Sequence, residues 1–164
     1  MKRASLDKLF PSLLDRLRDD EPGKSDESRD KRVISSDELK KYVLRDLSWL
    51  LNVVRMDVSS DLENYDFVKN SVLNYGSPSL AGMNISRDHL PQLEGEIREA
   101  IIRYEPRISR QDLTVKVIVD SQALNRNAMF IEIAGELWGD PIPVHLYLKT
   151  EVDLEKGDVN VVAG

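Results

Sequence analysis

Residues 113–119, LTVKVIV, and 129–138, MFIEIAGELW, decide how this chain folds. In the first, Leu113, Val115, Val117 and Val119 point one way; in the second, Met129, Ile131, Ile133 and Leu137 do, while Phe130, Glu132, Glu136 and Trp138 point the other. A period of two belongs to strands, and the apolar-in, polar-out alternation marks a sheet with one buried and one wet face. The pattern continues through IPVHLYLKTEVDL, where Ile142, Val144, Leu146, Leu148, Val152 and Leu154 face inward and His145, Tyr147, Lys149, Glu151 and Asp153 outward. EKGD at 155–158 is a glycine-containing turn into DVNVV, so the sheet ends in a C-terminal hairpin.

Upstream the period is helical. Ser35 and Glu38 form a capping-box pair and Ile34 staples onto Leu39, opening a helix over about residues 36 to 52. Leu39, Val43, Leu47, Leu50 and Val54 trace its apolar face, widened by Tyr42, Trp49 and Val53. Ile85 and Ser86 repeat the staple-and-cap logic for a second helix, with Leu93, Ile97, Ile101 and Tyr104 on one face and Pro106 ending it. Residues 55–70 show no period and read as loop, with one helical turn before Ser71. SVLNYGSPSLAG at 71–82 is dense in turn formers and reads as a defined irregular loop. Helices followed by a strand meander give an α+β fold: two layers, with N-terminal helices on one face of a mainly antiparallel sheet of about four strands.

The N-terminus stands apart. Leu6, Leu9, Phe10, Leu13, Leu14 and Leu17 lie at helical spacing, with Pro11 breaking the run and opening a short helix through Arg18. Residues 19–32 hold no apolar residue except Pro22 and read as a solvated linker. The expected organisation is an anchor and linker over residues 1–34 and one α+β domain over 35–164.

Composition excludes more than it identifies. At 164 residues there is room for one core, and a net charge of −6 argues against a nucleic-acid footprint. With no cysteine, disulfides, thiolate metal sites and a cysteine nucleophile are excluded. No stretch resembles a signal peptide or membrane span, which makes the cytoplasm the expected location and membrane insertion unexpected. No phosphate loop, metalloprotease helix, nucleophile elbow or calcium loop is present. His89 and His145 stand apart from any catalytic constellation and read as surface residues; Glu94, Glu96 and Glu99 read as solvated charges, supported by Arg98 and Arg103 along the helix. No metal and no cofactor is expected.

One polar cluster sits at a structural break: Glu105-Pro106-Arg107, where the helix hands over to the sheet. A carboxylate and a guanidinium across a rigid proline can form a fixed pair. Three readings compete: a local ion pair fixing the helix exit, a docking motif, or Glu105 as the acid of a glycosidase with Glu132 or Glu136 as its partner. The last needs a second carboxylate roughly 5–9.5 Å away and a cleft normally rich in aromatics, in a chain that is 6% aromatic.

Three stretches together resemble the TssE family of type VI secretion baseplates: Leu13-Leu14-Asp15-Arg16-Leu17; Ser71-Val72-Leu73-Asn74-Tyr75-Gly76 with Pro78, Leu80 and Gly82; and Glu105-Pro106-Arg107 followed by Glu136-Leu137-Trp138-Gly139. That family sits within the contractile-tail baseplate wedge proteins, whose members often carry a lysozyme-like label. The resemblance implies a non-enzymatic cytoplasmic subunit at the membrane-proximal baseplate. Its partners would be the wedge subunits TssF, TssG and TssK and the sheath subunits TssB and TssC. It further implies that Glu105, Pro106 and Arg107 serve sheath docking, that Leu13, Leu14, Arg16 and Leu17 bind a wedge partner, and that Asn74, Tyr75, Gly76, Pro78 and Gly82 shape a structural loop. The chain departs from the family's usual Asn-Tyr-Gly-Leu-Pro-Asp-Leu-Ser-Gly at Ser77, Ser79 and Ala81.

Overall fold

Four strands pair antiparallel in chain order: β1 (Thr114–Ile118), β2 (Ala128–Leu137), β3 (Val144–Asp153) and β4 (Val159–Ala163). The computed structural model describes residues 11–18, 22–23, 34–58, 61–83, 88–119, 128–138 and 143–163. The register sets Val117 opposite Ile131, Ile133 opposite Leu148, and Val152 opposite Val159, so one face is apolar but for Thr150. Because side chains alternate strictly, a one-residue slip would turn this whole set to water, which is what fixes the pairing. Thr150 is the polar member of the buried face, and its hydroxyl donates to the Ile131 carbonyl at 3.4 Å.

Two long helices cover that face. In α2 (Ser36–Leu51), Leu39, Val43, Leu47, Leu50 and Leu51 are buried; in α4 (Leu90–Tyr104), Leu93, Ile97, Ala100 and Ile101 are. Helix α4 packs toward β1 and α2 toward β4. The capping box at α2 is complete: the Glu38 backbone N–H donates to Ser35 Oγ at 3.2 Å, and the Ser35 N–H donates to Glu38 Oε2 at 2.9 Å. That bonding, backbone first, holds the Glu38 carboxyl below its ordinary range. Shorter pieces complete the chain: α1 (Leu13–Leu17), α3 (Asp66–Lys69) and 3-10 turns at Met56–Val58 and Val72–Asn74.

Several expectations are corrected. Helix α2 stops at Leu51, so Val53 and Val54 leave its apolar face and are exposed, with Val54 bridging to Ser77 instead. Trp49 is likewise about half exposed, with Arg45 over its ring. Leu51, which the pattern omitted, is buried. Helix α4 begins at Leu90 with His89 at the N-cap and no side-chain cap bond; Pro91 sits in the first turn, where its missing N–H costs nothing. The proposed cap at Ile85 and Ser86 lies outside the described residues, as do Leu6, Leu9, Phe10, Ile142 and most of the linker. Glu99 is exposed as expected, but other α4 charges are tied to other elements rather than to one another. Glu96 pairs with Arg55 at 2.9 Å, Arg98 donates to the carbonyls of Leu113 and Arg110, and Glu94 accepts the Val117 N–H at 2.8 Å. Leu154 is buried as expected, but in the turn after β3.

Candidate functional site

The exit of α4 carries the most organised polar group of the described residues. Glu105 is the C-cap, its N–H closing the last helical bond to the Ile101 carbonyl at 2.8 Å. Pro106 cannot continue the helix, and the chain turns so that Arg107 folds back on Glu105. The Arg107 backbone N–H and Nε donate to Glu105 Oε1 at 3.1 and 2.7 Å, and Nη2 donates to Oε2 at 2.5 Å. This is the forked geometry that makes arginine–carboxylate pairs strong and directional. Glu105 is buried, 3% exposed.

The pair is one end of a ladder. Arg107 Nη2 also donates to Asp46 Oδ2 at 2.5 Å, Arg45 Nε donates to Asp46 Oδ1 at 2.8 Å, and Arg45 Nη1 donates to Asp15 Oδ1 at 2.6 Å. Ser12, the cap of α1, donates to Asp15 Oδ2 at 2.6 Å. Charges therefore alternate from α4 through α2 to α1. Burial works against the Arg107 charge, but the hydrogen bonds and charge of Glu105, then Asp46, more than offset it and raise its pKa further. Burial likewise pushes the Tyr75 phenol up, with the carboxylates of Asp46 and Glu105 adding to it.

Arg45 lies 4.9 Å from the Trp49 ring centroid and 5.4 Å from that of Tyr42, so it is held by two aromatic faces as well as two carboxylates. Helix α1 docks here through its acid. Asp15 has a side chain 1% exposed, whereas Leu13, Leu14 and Leu17 are 71, 52 and 74% exposed and Arg16 also faces solvent. Burial alone would raise the Asp15 pKa, but the bonds from Arg45 and Ser12 lower it below 3.8. A depressed carboxyl contributes stability above its unfolded value and loses it as pH falls through the folded one. Acid should therefore release α1 only at a pH below the ordinary carboxylate range. A fluorophore placed at Leu13 should report that release, and Asp15→Asn should remove the transition.

On the other side of Arg107, the chain is stitched to β2. The Arg107 carbonyl accepts the Trp138 N–H and the Glu136 carbonyl accepts the Ser109 N–H, both at 2.8 Å, and Ile108 bridges to Leu137. Gly135 leaves room for this: a Cβ there would stand 3.2 Å from Ile108 Cγ2. Trp138 is left 71% exposed beside the motif. Glu132 and Glu136 face outward, pairing with Lys149 and His145 at 3.3 Å each.

The loop after the Val72–Asn74 turn braces the same end of the molecule. Asn74 is buried, and the Tyr104 hydroxyl lies 2.9 Å from the carbonyls of both Ser71 and Asn74, with the Tyr75 ring packed edge-on at 5.1 Å from that of Tyr104. Gly76, at φ 138°, lets Ser77 bond back: its N–H donates to Val53 at 2.8 Å, its carbonyl accepts from Arg55 at 3.0 Å, and its hydroxyl donates to the Leu51 carbonyl at 3.1 Å. Pro78 is buried, and the Gly82 N–H donates to Leu154 at 2.8 Å, tying the loop to the C-terminal hairpin. Two of the three departures thus have structural counterparts, since Ala81 also packs on Gly157 of the hairpin turn.

Sequence reasoning isolated Glu105 and Arg107 but missed Asp15, Arg45 and Asp46. The available signal was the adjacent Arg45-Asp46 pair on a core helix, neither residue having an opposite charge three or four positions away.

The fold resembles a solved structure from Geobacter sulfurreducens that bears a tail-lysozyme label, at 20% identity and a TM-score of 0.50, over 74% of this chain and 95% of that one. At that identity the likeness speaks to the fold alone. No curated protein matches the sequence. The family described as baseplate wedge protein gp25 matches residues 37–142, from the start of α2 past the end of β2 and across the whole Glu105–Arg107 turn. The chain belongs to that baseplate wedge family, the family of TssE.

Proposed function

We propose that this chain is a non-catalytic baseplate subunit on which a contractile sheath begins to assemble, joined to its wedge partners through α1. The observation that carries the reading is the outward-facing end of the β4 edge strand. At the outer edge of β1, α4 takes the Val117 N–H through Glu94 and, just before the strand, the Leu113 carbonyl through Arg98. On β4, Asn52 takes both outward groups of Val159, donating from Nδ2 to its carbonyl at 2.9 Å and accepting its N–H on Oδ1 at 2.8 Å. Antiparallel alternation then directs the backbone groups of Val161 and Ala163 outward as well. That short stretch can accept a strand from a sheath subunit, with affinity supplied by backbone hydrogen bonds.

In this reading Glu105, Pro106 and Arg107 hold the helix exit in the shape the sheath recognises, with Trp138 beside them. Leu13, Leu14, Arg16 and Leu17 present an apolar face to the wedge, residues 1–34 act as anchor and tether, and 35–164 form the wedge domain. The partners would be TssF, TssG and TssK on one side and TssB and TssC on the other, at the cytoplasmic face of a membrane-anchored baseplate. Among the described residues no helix is long and apolar enough to cross a membrane. A glycosidase is the weaker reading, because a general acid must hold a proton where substrate reaches it, whereas both oxygens of buried Glu105 are spent on Arg107.

Val161→Pro tests the edge. It removes an N–H that β3 does not use, so the intramolecular ladder survives and the cost should be about 1 kcal/mol. Sheath polymerisation should fall at least tenfold while wedge subunits still co-purify; normal sheath extension would exclude β4 as the acceptor.

A further inference from the structure

An edge strand must refuse some partners as well as accept others. β4 reads Val159-Asn160-Val161-Val162-Ala163, a stretch with no charge and no proline, at the end of the sheet order. The Asp153 N–H donates to the Asp158 carbonyl at 3.0 Å, which fixes the phase of the ladder. Val159, Val161 and Ala163, opposite Val152, Thr150 and Leu148, therefore turn their backbone groups away from β3. Uncharged β-branched strands with an open edge readily pair with copies of themselves, and charge and proline are the common guards. Strand β1, at the other end of the sheet, has Lys116; β4 has neither guard in its own sequence.

The guard comes from α2. Asn52, its C-cap, lies 107 positions from Val159 in sequence, yet its amide makes the two bonds with Val159 that a residue of a neighbouring antiparallel strand would make. Asn52 Nδ2 also donates to the Ser48 carbonyl at 2.8 Å, so the amide is held by its own helix. Two copies of β4 related by a two-fold axis through Val161 would set Val159 of each opposite Ala163 of the other. With Asn52 in place both of these outer pairs are lost, and only the central Val161 pair can form. We propose that Asn52 is a specificity residue that keeps this chain from pairing with a second copy through β4, while leaving Val161 and Ala163 open to a strand of another protein. The open remainder rests on the reading of β4 as a strand acceptor; the block on self-pairing does not.

Asn52→Ala in the full chain tests it by sedimentation equilibrium. Asn52 has φ −94° and ψ 3°, a negative φ that alanine can adopt, and because the residue is exposed, truncation opens the Val159 groups to water. The variant should dimerise at least tenfold more tightly than the parent chain, and Asn52→Ser, too short to bond both groups, should do the same. Adding Val161→Pro, which removes the central N–H from both copies, should return either variant to the mass of the parent. A folded Asn52→Ala or Asn52→Ser chain that keeps the parent's mass at every concentration would overturn the proposal, as would association that survives Val161→Pro. Sheath polymerisation with Val161→Pro alone reads the acceptor and mass with Asn52→Ala reads the block, so either can fail while the other stands.

Discussion

Arg107→Ala should lower the stability of this protein by about 3–5 kcal/mol, a large effect for one side chain. The reason lies less in the bonds lost than in what is left behind. Glu105 would keep a buried carboxylate with its fork partner gone, and Asp46 would lose one of its two guanidinium neighbours. At about 2–4 °C per kcal/mol, the midpoint of thermal unfolding should fall by on the order of 10 °C. Circular dichroism melts would measure it. Glu105→Leu combined with Arg107→Met should recover much of the loss, because a buried pair replaced by apolar groups of similar volume is often neutral. The double variant then separates stability from recognition: restored melting with absent sheath assembly would mark the charged motif as a docking element. Restored assembly would reduce it to a brace. A melting temperature for Arg107→Ala within about 2 °C of the parent would show that the pair contributes little.

Gly76→Ala should be comparably damaging for a different cause. A Cβ at that position would stand 2.4 Å from the Val53 carbonyl oxygen and 2.8 Å from the Arg55 backbone nitrogen, and φ is 138°. Both obstacles are backbone, so neither can rotate away. The expected cost is at least about 3 kcal/mol, combining dihedral strain with loss of the Val53–Ser77–Arg55 bonding. Gly82→Ala is the control: φ is 67° but nothing lies within 4 Å of the added carbon, so only the left-handed penalty of about 1–2 kcal/mol applies. Urea unfolding of the pair should show midpoints clearly apart. Equal losses would mean that close approach at Gly76 is relieved by local movement.

The strands were legible because each buries one face, which forces a period of two, and the start of α2 was legible because its capping box is local. Where α2 ends was not. Val53 and Val54 continue the apolar pattern, but the backbone there is diverted by Ser77, a partner distant in sequence and so invisible to periodicity. The same limit hid most of the ladder. Glu105 and Arg107 are two residues apart and could be paired from sequence, whereas Asp15 meets Arg45 only after α1 has docked on α2.

The ladder gives this small domain a seam that resists shear. Helices packed only through leucine and valine are held by a non-directional attraction and can slide by small amounts at little cost. Arg107 grips acids on α2 and at the α4 exit at fixed bond lengths, and Arg45 extends that grip to α1. Displacement of one helix along another would strain several short charged bonds at once. A pull on α1 would therefore be passed to the helix exit as force with little slack, making the protein a stiff link between whatever it holds at its two ends.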